Sequence, residues 1–136
     1  MQISFSKQEG NVPVTIMHLV GNLDASNYTD VITKAQEIHD DGVRDLLIDL
    51  SQVPYVSSAG LMSLHAVVLI FAGKSVHSKE TGRPSFRSVD PLRDSAGFQH
   101  VKLLSPQTAV EQVLDLVGLK QFLDIHTNLK KAIQSY

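Results

Sequence analysis

An uninterrupted apolar run between two aspartates constrains the fold of this chain more than any other feature. Leu46, Leu47 and Ile48 follow one another without a polar break, and Asp45 and Asp49 bound them. A strand with one wet face alternates apolar and polar residues, whereas a continuous run is typical of a strand covered on both faces. The run therefore predicts an interior strand of a sheet that is covered on both sides.

The first 20 residues predict a β-hairpin. Ile3 and Phe5 alternate with polar residues, and after a turn at 9–11 the segment 14–20 is rich in β-branched residues, which suit strands. The second strand ends at Gly21.

A helix is predicted next, with Asp24 or Ser26 as its N-cap. Its apolar residues recur at three- and four-residue spacing, which places them on one inward face. They are Tyr28, Val31, Ile32, Ala35 and Ile38.

A second helix, from about Gly60 to Phe71, is apolar almost all round. Ser57 and Ser58 stand at its start, after a polar loop that contains proline. A helix with so little polar face must lie between the sheet and a second surface, in this chain or in another. Together with Met62, this face leaves room for a homodimer.

Residues 73–98 change in composition. Only six of these 26 residues are apolar, and the segment holds five cations against three anions. It predicts a long mobile loop, because it has little apolar surface to bury. Either it is a solvated loop, or its cations contact a dedicated partner.

The remainder predicts a strand at 101–104, a helix to Val117 with Ser105 as N-cap and Pro106 in its first turn, and an edge strand at 121–125. A last helix is predicted after an N-cap at Thr127. Its inward residues are Leu129, Ala132 and Ile133.

These elements predict one α/β domain over residues 1–136. The expected architecture is a mixed sheet of four to five strands with about four helices packed mainly on one side, plus the long loop at 73–98. Right-handed crossovers are expected wherever strands are parallel.

Composition excludes several classes of protein. The chain has no cysteine, which removes disulfide scaffolds and cysteine-based metal sites, and its formal charge of −2 provides no basic field for nucleic acid. It shows no signal-peptide pattern and no apolar run long enough to span a membrane, so a cytoplasmic location is predicted. Its six histidines lack metal-ligand spacing, and no metal is expected.

The segment from Ser57 to Gly60 is the strongest candidate site. It lies where a loop enters a helix, and the free N–H groups and dipole of a helix N-terminus favour an anion such as phosphate. Ordinary N-capping by one of the serines is the alternative, and it is compatible with phosphorylation. A hydrolase nucleophile elbow fails because Val56 stands where its first glycine belongs. Asp24, at the end of another strand, is expected near this helix start, either as part of the site or as a helix cap.

At these residues the chain resembles the STAS domain family, and in particular the small bacterial anti-sigma factor antagonists. Four motifs occur in the family's order, and only 73–98 lies outside the resemblance. They are Leu19-Val20-Gly21-Asn22-Leu23-Asp24, Leu47-Ile48-Asp49-Leu50-Ser51, Tyr55-Val56-Ser57-Ser58-Ala59-Gly60-Leu61, and the C-terminal set Leu104-Ser105-Pro106, Val113-Leu114-Asp115, Gly118-Leu119 and Phe122-Leu123-Asp124-Ile125.

The resemblance implies a non-enzymatic partner switch without a cofactor. The unmodified family member binds an anti-sigma factor that is also a serine kinase of the histidine-kinase-like ATPase fold, and so releases a sigma factor. Phosphorylation at the position of Ser58, with Ser57 as second choice, breaks that complex, and a metal-dependent serine phosphatase restores it. The implied partner-binding residues are Asp24, Tyr55, Ser57, Ser58, Ala59, Gly60 and Met62.

Two residues depart from the family pattern beside the predicted phosphoacceptor. Ser57 replaces the family's aspartate, and Ala59 replaces its serine or threonine. The 73–98 segment is a third departure, since the family usually has a short turn there. A STAS binding or scaffold module that works without phosphorylation is therefore the alternative function. An enzyme with Ser58 as nucleophile is disfavoured, because no general base is placed beside it by the sequence.

Overall fold

The computed structural model describes residues 1–73 and 99–136. The long loop predicted at 73–98 lies, beyond Gly73, outside the described residues.

Five strands form one mixed sheet in the order β1-β2-β3-β4-β5. The first two pair antiparallel as the predicted hairpin, and the remaining neighbours are parallel. The strands are β1 (Gln2–Glu9), β2 (Pro13–Val20), β3 (Leu46–Gln52), β4 (Val101–Leu104) and β5 (Ile125–His126).

Four α-helices lie wholly within residues 1–73 and 99–136, where they connect or flank these strands, and three of them contribute to one large core. They are α1 (Tyr28–Asp40), α2 (Ser58–Phe71), α3 (Thr108–Leu116) and α4 (Leu129–Gln134), with a 3-10 turn at Leu119–Gln121. The large core takes in buried residues of α1, α2 and α3, whereas α4 contributes to a second, smaller cluster. The predicted α/β fold, a mixed sheet with helices mainly on one side, is confirmed.

β3 is covered on both faces, as its apolar run predicts. Leu46 and Ile48 belong to the large core, while Leu47 packs in the second cluster with Ala132 and Ile133 of α4. The side chains of Leu46, Leu47 and Ile48 are all fully buried. The continuous apolar pattern therefore arises because alternate side chains of one strand fill two different cores.

The second surface that covers α2 is in this chain. α1 packs along α2, and the His39 ring meets Phe71 edge to face with 5.0 Å between centroids. Eleven residues of α2 are buried. Because the chain itself covers this helix, its apolar character is no longer an argument for a homodimer.

The cap predicted for α1 was wrong. Asn27 precedes the first helical residue, and neither Asp24 nor Ser26 caps the helix. The Asp24 side chain instead accepts hydrogen bonds from the Ser26 amide and hydroxyl, and its carbonyl accepts from Asn27 and Tyr28. Asp24 thus closes a turn that precedes the helix.

The predicted boundaries near the C-terminus were also wrong. α3 begins two residues beyond Pro106, and Ser105 is left-handed with φ of 51° instead of acting as an N-cap. Residues 121–124 are not a strand, since the 3-10 turn ends there and β5 has only two residues.

The last helix is capped by a different residue from the one predicted. Asn128, not Thr127, accepts from the Lys131 amide at 3.0 Å. Ala132 and Ile133 face inward as predicted, but Leu129 is 41% exposed.

Candidate functional site

Two loops meet where β2 and β3 end. The Leu23 amide donates to the Tyr55 carbonyl at 2.9 Å, and the Ser57 amide donates to the Leu23 carbonyl at 2.9 Å. These bonds form a parallel bridge between Leu23 and Val56. The turn that contains Asp24 and the start of α2 are therefore held side by side, at the carboxyl edge of the sheet where open α/β folds bind ligands.

Gly60 allows the first turn of α2 to approach this bridge closely. A Cβ at this position would lie 2.5 Å from the Leu23 carbonyl oxygen and 2.8 Å from Val56 Cγ1. Those distances are too short for any side chain, and Gly60 is itself buried. It therefore positions the helix start and presents no surface to a partner.

The two serines at the helix start have different environments. Ser57 is extended, with φ of −83° and ψ of 178°, and its Oγ accepts from the Gly60 amide at 3.2 Å. Ser57 is therefore the N-cap. Ser58 is the first helical residue and is exposed, and no hydrogen bond within residues 1–73 and 99–136 engages its hydroxyl.

The helix start carries no acidic residue in its first turn. The Gly60 amide bonds to the Ser57 side chain, and the Leu61 amide bonds to the Ser57 carbonyl. The amides of Ser58 and Ala59 make no backbone bond among the described residues. They are the groups that a helix N-terminus offers to an anion.

Asp24 supplies the negative charge of this region. Hydrogen bonds from the Ser26 hydroxyl and amide hold the pKa of the Asp24 carboxyl below its usual value, so the side chain is ionised at neutral pH. Half-buried Ala59 and Met62 and 54%-exposed Tyr55 lie on the two segments that the bridge joins. We call the accessible members of this set the junction surface: Asp24, Tyr55, Ser57, Ser58, Ala59 and Met62.

Sequence reasoning missed the residue that joins the two halves of this site. Leu23 is fully buried, and both its backbone amide and its carbonyl form hydrogen bonds with the other loop. Apart from its place in the first family motif, its sequence signal is a single apolar residue between Asn22 and Asp24 after the strand has ended. Such a residue predicts burial but not the backbone pairing.

Over 1–73 and 99–136, no three His, Asp, Glu or Cys residues are grouped so as to hold a metal ion. Within those same ranges, no helix combines the length and apolarity that crossing a bilayer requires.

Comparison with known proteins identifies a family and a fold. A family model described as the STAS domain matches residues 5–74. No curated protein matches the chain.

Several solved structures share the fold over nearly the whole chain. A candidate anti-sigma factor antagonist from Thermotoga maritima has a TM-score of 0.71 at 16% identity, covering 97% of this chain and 92% of that one. An anti-sigma factor antagonist from Mycobacterium paratuberculosis has a TM-score of 0.65 at 19% identity, covering 98% and 93%. The Bacillus cell fate determinant SpoIIAA in its phosphorylated form has a TM-score of 0.54 at 16% identity, covering 96% of each chain. At these identities, the likeness extends to the fold alone.

Proposed function

The chain belongs to the STAS domain family, and from this premise we propose that it is an anti-sigma factor antagonist that works by partner switching. Unphosphorylated, it binds an anti-sigma serine kinase of the histidine-kinase-like ATPase fold through the junction surface. Phosphorylation of Ser58 releases that partner, and a metal-dependent serine phosphatase restores binding. As a regulator of transcription it acts in the cytoplasm, and the switch itself is not enzymatic, because this chain makes no covalent change to its partners.

The observation that carries this proposal is the difference between the two serines. The Ser57 hydroxyl oxygen is held by the Gly60 amide, whereas Ser58 is exposed one residue later. A kinase needs an accessible hydroxyl, so Ser58 is the better acceptor and Ser57 the second choice. The phosphorylated and unphosphorylated forms in which SpoIIAA was solved have this same fold, which supports a fold that tolerates the modification.

Charge explains how phosphate would release a partner. A phosphoserine adds about −1.5 to −2 charges. The two amides at the start of α2 favour that charge within the free protein, but a partner surface fitted to a hydroxyl would have to desolvate it. Asp24 already places a carboxylate on the junction surface, so the partner has to complement two anionic groups after modification instead of one.

A STAS binding module without phosphorylation is the second candidate. Ser57 and Ala59 stand where the family has an aspartate and a hydroxyl residue. The immediate surroundings of Ser58 therefore carry one negative charge fewer than the family pattern does. A kinase that recognises the family pattern would lose those contacts. In this alternative, the junction surface binds its partner in a single state.

One experiment separates the two candidates. The purified chain is incubated with ATP and each kinase-like ATPase encoded beside its gene, and the modified residue is located by mass spectrometry. We expect one phosphate on Ser58, present in Ser57→Ala and lost in Ser58→Ala. Absence of modification with every such kinase, or modification confined to Ser57, contradicts the proposed switch.

Binding to the same partner provides the second measurement. Calorimetry is expected to show that Ser58→Asp binds the kinase at least about tenfold more weakly than wild type, or about 1.4 kcal/mol. Ser58→Ala is the matched control and is expected to bind as wild type does. Equal affinity of all three proteins would favour the binding module.

A further inference from the structure

Ser6, His18 and Asp49 form a chain of two hydrogen bonds across three neighbouring strands. Ser6 Oγ lies 2.8 Å from His18 Nε2, and His18 Nδ1 lies 2.9 Å from Asp49 Oδ2. Strand register explains the alignment. In the antiparallel pair, Ser4 is opposite His18 and Ser6 is its diagonal neighbour, while the parallel pair places Asp49 directly beside His18.

The carboxylate end of this chain is fixed. The Asp49 side chain is only 17% exposed, and its Oδ1 accepts from the Ser51 amide at 3.0 Å. Burial alone would raise the pKa of Asp49, but hydrogen bonds from Ser51 and His18 outweigh it and leave the pKa below its usual value. An ionised carboxylate can only accept hydrogen bonds. A neutral His18 ring therefore carries its proton on Nδ1 and directs the Nε2 lone pair at the Ser6 hydroxyl.

The serine end is open to small molecules. The helix α4 covers the same face of the sheet over Val14 and Ile16, and the buried cluster does not extend to His18. The His18 side chain is 35% exposed, and Ser6 is half-buried. A nucleophile in contact with a base, which a third group orients, is the arrangement of covalent catalysis by serine.

We propose that Ser6 is an activated nucleophile that takes the acyl group of a small activated ester and, with His18 and Asp49, returns it to water. Ser6 Oγ bonds to the carbonyl carbon as its proton passes to His18 Nε2. The bond to the leaving group then breaks, and the leaving oxygen takes the bonding electron pair and the proton from His18 Nε2, so that the ring is neutral again. Water then attacks the acyl carbon and gives a proton to His18 Nε2. The bond to Ser6 Oγ breaks, and His18 returns the proton to that oxygen.

The substrate class follows from how open the site is. Three side chains on a sheet face supply a nucleophile and a base but do not enclose a large substrate. Esters with a good leaving group need least stabilisation of the developing oxyanion, so p-nitrophenyl acetate is the suitable probe. This activity is independent of the partner switch, because it uses the opposite face of the sheet from α2 and neither serine of the junction surface.

The first test is hydrolysis of p-nitrophenyl acetate by the full chain. General-base assistance contributes about 10²-fold or more, and we expect Ser6→Ala and His18→Gln each to lower the rate at least about tenfold. Ser4→Ala is the matched control, since it makes the same change on the same strand and face, and it is expected to hydrolyse the ester at the wild-type rate. Ser58→Ala tests whether the helix start contributes to the reaction. Circular dichroism checks that each variant is folded.

The outcomes of this assay separate the alternatives. Wild-type turnover by folded Ser6→Ala would overturn the proposal, since a surface histidine acting alone needs no serine. Loss of turnover in Ser58→Ala alone would also overturn it and would assign the activity to the helix start.

A second test needs no variant. Wild-type protein is treated with a fluorophosphonate, which labels activated serines, and the modified residue is located by mass spectrometry. Label on Ser6 is the expected result. Label elsewhere, or none under conditions that label a known serine hydrolase, would overturn the proposal even if the Ser6→Ala variant failed to fold.

Discussion

The carbonyl oxygen of Leu23 accepts the hydrogen bond of the Ser57 amide at 2.9 Å and lies 2.5 Å from where a Gly60 side chain would begin. One backbone atom therefore sets both the position of the N-cap and the closest approach of the helix. Because Asp24 is the next residue after Leu23, the same atom ties the charged turn to the serines. Backbone hydrogen bonds thus hold the two segments of the junction surface together, and the exposed side chains of Tyr55 and Ser58 are available to a partner.

Gly60→Ala is expected to destabilise the protein. On helix propensity alone, alanine would stabilise by up to about 1 kcal/mol. The added Cβ would instead meet the Leu23 carbonyl and Val56, and overpacking of this kind costs about 1–3 kcal/mol. Urea denaturation measures the free energy of unfolding of Gly60→Ala and of wild type. A higher value for the variant would contradict the close approach of Gly60 to Leu23.

Ser57→Ala and Ser58→Ala are expected to differ in stability although they are neighbours. Ser57→Ala removes the cap that bonds to the Gly60 amide, at a cost of about 0.5–2 kcal/mol. Ser58→Ala changes an exposed residue, and its effect is expected to stay within about 0.5 kcal/mol. Ser57→Asp is the matched control, because aspartate also caps and should retain wild-type stability. Equal losses in the two alanine variants would show that the cap is not at Ser57.

The sequence predicted those parts of the fold that depend on patterns of burial. The apolar run around Leu47 identified β3 as interior, because a strand between two cores cannot alternate. The all-round apolar α2 was correctly predicted to lie between two surfaces, but periodicity does not say whether the second surface is in the same chain. Here it is α1.

The predicted helix starts were wrong where several neighbouring polar residues could each serve as the N-cap. Asp24, Ser26 and Asn27 can all cap a helix, and the choice depends on the turn that the Asp24 carboxylate makes with Ser26. For the same reason, the last helix is capped by Asn128 and not by the predicted Thr127.

Sequence patterns did not predict which residues far apart in the sequence come into contact. The bridge between Leu23 and Val56 and the alignment of Ser6 with His18 depend on strand order and register. The two-residue period of β1 and β2 is visible in the sequence, but it specifies only the face of each residue. Pairing of the strands decides which residues on that face meet.

Tyr55→Ala is expected to separate binding from stability. The side chain is 54% exposed, so its removal should change the free energy of unfolding by no more than about 0.5 kcal/mol. Exposed tyrosines in interfaces often contribute about 2 kcal/mol or more to binding, which corresponds to roughly a 30-fold weaker complex with the kinase. Leu116→Ala, which truncates an exposed apolar residue of α3, is the control and should bind as wild type. If Tyr55→Ala binds normally, the partner uses another surface.

Tyr136→Phe is expected to change how stability depends on alkaline pH. The Tyr136 hydroxyl donates to the Leu46 carbonyl at 2.5 Å. Burial, with a smaller effect from the Asp45 carboxylate, raises the pKa of Tyr136 well above its ordinary value. The unfolded chain releases this proton near pH 10 while the folded protein keeps it. The contribution to stability is therefore complete below about pH 10 and falls by about 1.4 kcal/mol for each further pH unit.

Phenylalanine cannot ionise, so Tyr136→Phe should lose about 1 kcal/mol at pH 7 for the missing hydrogen bond and then lose less than wild type between pH 10 and pH 11. Urea denaturation at each pH measures both effects. Tyr55→Phe is the matched control, since the same change at an exposed tyrosine should leave the wild-type slope intact. Parallel stability curves for wild type and Tyr136→Phe across this range would mean that Tyr136 ionises as readily in the folded protein as in the unfolded chain. That result would contradict the hydrogen bond from Tyr136 to the Leu46 carbonyl.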